Sequence, residues 1–445
     1  MSSPSPPPPG SPSSIPSPAS ISPPSDVSTL PDAERIDAPL SRDGAPADDT
    51  PVAGGDISTS RRRLVLAGLV GAVLAIVAGA LYVASNEEPP PPKPDIPLDA
   101  WVPYWALDAS LPEFGRRSGS MREVSPFWFN AAGVDQIVVD PNASAELTQA
   151  FMDEAERSDV DVLPSIIDAL PAGEMAAILA DPITRSQHVE TIRAFAADGD
   201  FEGIDIDYEQ FAFADGRDTW ATTRPNWVAF IEELADALHA DGRTLTVSIP
   251  PVYDDGQTAE SGYWVYDYGA IVEHVDRIRI MAYDYSVAVP GPIAPLDWVE
   301  SAVQGTIEAA GSPDKLVLGL PAYGRNWPVS VAGECPPDDV PGRTSVSARS
   351  VDELIRRRQG QPMRVDATGE WMFEYDLEVT DGVATCVQTR QVHYVDGDGI
   401  RLRMDLARKY RLDGVALWAL GFDDQAVWDA ILPTVADPDA TTIPE

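Results

Sequence analysis

Residues 201–210 read FEGIDIDYEQ: the carboxylates Asp205, Asp207 and Glu209 occupy every second position, with Ile204, Ile206 and Tyr208 between and before them. In an extended chain alternate side chains share a face, so the acids fall on one side and the apolar groups on the other. Carboxylates crowded on an enclosed face cannot all stay ionised, because repulsion and desolvation raise at least one pKa. A carboxyl kept protonated near neutral pH is what general-acid catalysis requires. Glu209, last in the run, is the candidate acid, with Asp207 and Asp205 behind it. An acidic strand face turned to solvent would carry the same spacing. A divalent-metal site would need more acids at neighbouring strand ends, such as Asp168 and Asp284. The four His and two Cys are not closely clustered and supply no zinc-like ligand set.

The elements that must hold these acids repeat along the chain. Strand-like runs occur at 100–105, 123–129, 160–167, 201–209, 244–250, 277–283, 315–323 and 414–420, with amphipathic helical patterns such as SAELTQAFMDEAERS and PNWVAFIEELADALHADG between them. Eight alternations of strand and helix predict an α/β fold, a (β/α)8 TIM barrel whose parallel strands carry the active site at their C-terminal ends. An open doubly wound sheet is the competing arrangement, but no Gly-rich phosphate loop follows the first strand. Within a barrel, Ile204, Ile206 and Tyr208 face the helices while the three acids point inward, with Glu209 at the catalytic end. Residues 328–400, between the seventh and eighth strands, contain further strand-like stretches and predict a small α+β insertion. It holds both cysteines, Cys335 and Cys386, which form a disulfide if the domain lies outside the membrane and remain two thiols otherwise.

The segment GIDIDYE resembles the signature of glycoside hydrolase family 18, the chitinase-like family, whose pattern is Asp-Gly-x-Asp-x-Asp-x-Glu. It matches at Gly203, Asp205, Asp207 and Glu209 and departs at Glu202. MAYD at 281–284, GLPAYGR at 319–325 and LWALGFDD at 417–424 resemble further motifs of that family in the same order. The resemblance extends over residues 98–436 and implies a substrate-assisted retaining mechanism, in which the substrate's own 2-acetamido group is the nucleophile and no metal or organic cofactor is required. It implies that Glu209 protonates the glycosidic oxygen, that Asp207 orients the acetamido N–H, that Asp205 shares a proton or hydrogen bond with Asp207, and that Tyr283 holds the acetamido carbonyl. Trp418 would floor the sugar site, Met281 and Asp284 would line it, and Tyr104 and Trp105 line either the site or the core. Trp128, Phe211, Phe213, Tyr253, Trp264 and Trp327 are further aromatic candidates for stacking on sugars. Where many family chitinases carry Ser-x-Gly-Gly on the third strand, this chain has Ser165-Ile166-Ile167-Asp168. SPFWFN at 125–130 and GPIAPLDWV at 291–299 look like the bacterial spore-cortex-lytic and germination subgroup. The expected partner is an N-acetylglucosamine-containing polysaccharide, peptidoglycan or chitin-like. A non-hydrolytic glycan-binding protein on the same barrel is the alternative; such proteins usually lose the acid, and Glu209 is present.

The N-terminal region is of a different kind. Residues 1–60 are rich in Ser and Pro without apolar periodicity, the composition of a disordered tail. Residues 64–84 carry no charge and as a helix span about 31 Å, one hydrocarbon core. Arg61–Arg63 precede the span and Glu87–Glu88 follow it, so 61–86 reads as a single-pass signal anchor with the tail in the cytoplasm. The Pro-rich 87–97 is an extended spacer, 98–436 the catalytic domain outside the membrane, and 437–445 a C-terminal tail. With 71 acidic against 31 basic residues and a formal net charge of −40, the surface repels phosphate backbones, and no nucleic-acid partner is expected.

Overall fold

A computed structural model of the chain describes residues 94–158, 160–252 and 262–432. The expected tail, apolar span and C-terminal tail lie outside these residues, as does Tyr253. Among the described residues no helix is long and apolar enough to cross a membrane.

The fold is an α/β barrel-like sheet with a second, antiparallel sheet beside it. The eight expected parallel strands are Leu98–Pro103, Glu123–Phe127 continuing at Phe129–Gly133, Asp161–Val162 continuing at Ser165–Asp168, Gly203–Asp207, Thr244–Ile249, Arg277–Ile280, Leu316–Pro321 and Gly414–Trp418, here called strands one to eight. Strand one pairs with both strand eight (Leu98↔Val415) and strand two (Asp99↔Glu123). Strands two and three are each interrupted once, and both halves pair, Glu123↔Asp161 below and Phe129↔Ile166 above. Strand three then pairs with four, four with five, five with six, six with seven and seven with eight, so the pairings run in a circuit. Gln136–Val139 folds back antiparallel on the upper half of strand two.

Local chemistry accounts for these elements. The apolar stripe of Ala145–Ser158 buries Phe151 and Ala155, and Trp220–Ala240 buries Trp227, Phe230, Ile231, Leu234 and Leu238 on one face. Asp181 caps Pro182–Asp198 by accepting from the N–H of Ile183, and Asp396 caps Gly397–Tyr410 by accepting from Gly399. Ile204, Ile206 and Tyr208 are fully buried on the outer side of strand four, as the alternation requires. The Tyr208 hydroxyl pairs with His188 Nε2 of helix Pro182–Asp198 at 2.8 Å.

The insertion begins earlier than the sequence pattern implies. Strand seven ends at Pro321, Ala322 donates to the carbonyl of Trp418 at 2.8 Å, and Tyr323 already opens a strand of the second sheet, paired with Ser347. That sheet orders its strands Thr344–Ser347, Tyr323–Glu334, Thr385–Tyr394, Glu370–Thr380 and Met363–Val365. Proline removes the N–H that would continue a ladder, so GLPAYGR straddles the two sheets. Val346, Val351, Leu354, Phe373, Tyr375, Val392 and Tyr394 form a separate small core beneath helix Ala348–Arg358. Cys335 and Cys386 are joined in a disulfide, the oxidised alternative of the two.

Candidate active site

The interior of the barrel is polar from the bottom upward. Near the N-terminal ends of the strands, Arg122 grips Asp99 through two hydrogen bonds of 2.8 Å and Asp413 at 2.6 Å. Arg277 meets Glu123 at 2.8 Å and Asp413 at 3.3 Å. Arg279, fully buried on strand six, reaches Glu123 at 2.8 Å, Ser125 Oγ at 2.7 Å and Asp205 at 3.0 Å, with its guanidinium over the Trp101 ring. Charges buried this deeply persist only when paired and hydrogen-bonded. Burial, followed by the neighbouring Asp99, still raises the Glu123 carboxyl to about 7.

Asp205, the first of the three acids, belongs to this network. Its Oδ2 accepts from Trp101 Nε1 (3.1 Å), Ser165 Oγ (2.6 Å) and Arg279, and its Oδ1 accepts from Ser248 Oγ at 2.7 Å. Asp207 is not among these partners, so the acceptor capacity of Asp205 is spent on strands one, three, five and six. Asp207 lies one turn of the pleat higher. It is buried, and its Oδ1 has no hydrogen-bond partner among the described residues. Burial, then the carboxylates of Glu209 and Asp205, hold its pKa well above the usual range.

Glu209 lies two residues past the last ladder position of strand four, where the chain turns into the short helix Gln210–Phe213. Its carboxyl makes no hydrogen bond among the described residues. Burial, followed by the Asp284 charge, raises it from the ordinary 4.5 to about 7. A partly protonated carboxylic acid thus stands at the C-terminal mouth of the barrel, beside an unpartnered buried carboxyl oxygen. The same placement past a ladder's end recurs on strand six, which stops at Ile280 rather than Tyr283. Met281 is half-buried against the core. Asp284 takes a left-handed backbone (φ 61°), accepts from the Tyr323 hydroxyl and pairs with Arg325 at 2.5 Å.

Aromatic rings complete the mouth. Trp418, 8% exposed at the end of strand eight, stacks on Tyr283 (6.4 Å, 24°) and meets Phe127 (5.1 Å), Trp101 (5.8 Å) and Trp105 (6.4 Å). Trp105 in turn contacts Tyr104 at 4.9 Å; both are half-buried and lie in a helical turn, Tyr104–Ala106, where an extended strand was expected. Tyr283 is seated by Gly319 of strand seven, where a Cβ would lie 2.8 Å from the Tyr283 ring and 2.9 Å from the Ile280 carbonyl. The structure therefore brings Asp207, Glu209, Tyr283, Asp284, Met281, Trp418, Tyr104 and Trp105 to one end of the barrel, with Asp205 below them in the charge network. Trp128, Phe211 and Trp327 are core residues instead, at most 3% exposed, because their positions face the surrounding helices or the second sheet.

Several residues of the site go unread in the sequence. Arg279 and Trp101 are the principal ones, and the alternation RIRI at 277–280, charged against apolar in step with the acids of strand four, carried the signal. Glu202, where the signature has Asp, accepts from the Val162 N–H at 2.8 Å near the foot of strand three. It ties neighbouring strands far from the mouth.

The match to known proteins agrees with this geometry. The family model described as Glycosyl hydrolases family 18 matches residues 126–423. The chain is 30% identical over 247 residues to YdhD of Bacillus subtilis (strain 168), named as a sporulation-specific glycosylase, covering 55% of this chain and 52% of that one; it thus spans about half the length of that relative. It is 22% identical over 358 residues to the cortical fragment-lytic enzyme of the same organism, covering 76% and 74%. Among solved structures, a chitinase from Chromobacterium violaceum ATCC 12472 superposes with a TM-score of 0.61 at 24% identity, over 76% of this chain and 98% of that one. The spore cortex-lytic enzyme SleL of Bacillus megaterium QM B1551 does so with a TM-score of 0.60 at 18% identity, over 78% and 76%. At those identities the likeness to the solved structures concerns the fold. The expected likeness to spore-cortex-lytic proteins is borne out by these relatives. With a match from strand two through strand eight, over well more than half of the 445 residues, the chain belongs to glycosyl hydrolases family 18.

Proposed function

We propose that the chain is a hydrolase of β-1,4 bonds in N-acetylglucosamine-containing glycans, peptidoglycan or chitin-like, acting by substrate-assisted retaining catalysis. The observation that carries this reading is the pair at the barrel mouth: Glu209, raised to about 7, next to Asp207 with its Oδ1 unpartnered. Glu209 donates its proton to the glycosidic oxygen as the bond to the leaving sugar breaks. The substrate's acetamido carbonyl oxygen bonds to the anomeric carbon from the opposite face. Asp207 accepts the acetamido N–H through its free oxygen and so orients the group for attack. Tyr283, stacked on Trp418, holds the acetamido group within reach, so attack is intramolecular and gains the corresponding effective concentration. Glu209, now ionised, takes a proton from water as water displaces the acetamido oxygen, and the acid is regenerated.

The same reading places residues 98–436 outside the membrane, carried by the span at 61–86 and the spacer at 87–97. The disulfide between Cys335 and Cys386 supports it, since such bonds persist in oxidising compartments.

The test uses the full chain purified in mild detergent and its Glu209→Gln variant, each incubated with peptidoglycan and with chitin oligosaccharides. The wild type should release new reducing ends from one of them, and Glu209→Gln should lose about 10²-fold or more of that rate while still binding the glycan. Equal binding by both proteins with no cleavage by either would leave a glycan-binding protein and defeat the proposal.

A further inference from the structure

The Glu209 carboxyl has no hydrogen bond of its own among the described residues, so its place is set through its backbone. That backbone is held from the neighbouring loop. Asp168, last residue of strand three and 6% exposed, reaches across to the turn after strand four. Its Oδ1 accepts from the N–H of Glu209 at 3.1 Å and its Oδ2 from the N–H of Gln210 at 3.2 Å. Gln210 answers in the opposite direction: its Nε2 donates to the carbonyl of Asp168 and, at 2.7 Å, to that of Leu170. Further out, Asp215 Oδ1 accepts from the N–H of Gly173 at 2.6 Å. Two loops that follow adjacent strands are therefore joined by reciprocal hydrogen bonds directly beneath the acid. Without Asp168, the first N–H groups of the short helix Gln210–Phe213 would lose their acceptor, as at any uncapped helix start.

We propose that Asp168 and Gln210 form a latch that fixes the position of Glu209, both acting as positioning residues. This rests on the glycosidase reading above. A latch of this kind acts on the step that needs Glu209 aligned and leaves substrate binding, made by the rings and Asp207, almost untouched. In proton transfer, small misplacements of the acid are costly.

The experiment compares the full chain with Asp168→Ala, Asp168→Asn and Gln210→Ala. Asp168→Ala should lower kcat on the order of 10- to 100-fold with KM within about threefold. Asp168→Asn, which keeps one carbonyl acceptor, should fall between Asp168→Ala and the wild type, and Gln210→Ala should lose about three- to tenfold in kcat. Hydrogen exchange, which does not depend on turnover, should quicken in Asp168→Ala across residues 203–215 and stay unchanged across strand five. A kcat within about twofold of wild type, unchanged exchange across 203–215, or loss of protection spread evenly over the barrel would each overturn the latch. If the wild type cleaves no glycan, the glycosidase reading fails, and exchange alone decides whether the latch holds Glu209.

Discussion

At the scale of single residues, the chemistry depends on which carboxyl keeps a proton. Asp205 is held by four donors including a guanidinium, whereas Asp207 is raised by burial and then by the Glu209 carboxylate, and Glu209 by burial and then by the Asp284 charge. Closely placed carboxyls titrate as a set. The general acid must be protonated in the free enzyme, so kcat/KM should fall as the pH rises through about 7, the value to which Glu209 is raised. The stability consequence has the same sign. A carboxyl whose folded pKa lies above its ordinary 4.5 favours the folded state below that value, and the contribution is lost as the pH rises through about 7. Glu209→Gln should therefore melt higher than wild type above pH 7, with little difference at pH 4, while remaining inactive. A pH–rate profile flat through 7 would show that another group is the acid.

At the scale of elements, Glu209, Tyr283 and Asp284 stand just past the ends of their ladders. Strand four stops at Asp207 and strand six at Ile280, which frees Glu209, Tyr283 and Asp284 from the pleat and lets them turn over the mouth. Those turns need room, and the neighbouring strand provides it at Gly319. A methyl group there would press on the Tyr283 ring and the Ile280 carbonyl. Gly319→Ala should destabilise the chain by about 1–3 kcal/mol and reduce kcat by displacing Tyr283. Thermal melting and steady-state kinetics check both effects. Retained kcat with unchanged melting would mean that strand seven yields and that Tyr283 is not seated by this contact. The eight strands are legible in the sequence as short apolar runs, and in strands four and six the polar residues aimed inward alternate with apolar ones, as in GIDID and RIRI. Where each ladder ends is not legible, because that is decided by pairing with the next strand.

At the scale of the whole molecule, the acidic chain encloses a barrel whose interior carries paired charge instead of the usual branched apolar filling. Asp99, Glu123, Asp205 and Asp413 face Arg122, Arg277 and Arg279 across four strands. The second sheet is closed by a disulfide and tied to the barrel through the buried pair of Arg403 and Glu370 at 3.1 Å. The proposed topology sets the barrel outside the membrane. Protease added to intact spheroplasts should therefore degrade residues 98–445 and leave the cytoplasmic tail protected. Protection of the barrel and loss of the tail would reverse the orientation.

Sequence alone determined which residues could be chemical. The spacing of Asp205, Asp207 and Glu209 marks an inward acidic face, and the order of MAYD, GLPAYGR and LWALGFDD marks the family. These signals are local, and a period of two or a short motif survives in one dimension. Tertiary structure decided what each acid touches. Asp205 and Asp207 look equivalent in GIDID, yet one is saturated by Trp101, Ser165, Ser248 and Arg279 and the other keeps a free oxygen. Asp168, weighed above as a metal ligand, instead accepts the backbone N–H groups beneath Glu209. Those partners lie tens of residues away in the chain. They meet only when eight strands close around a common interior, where low dielectric makes every pairing count.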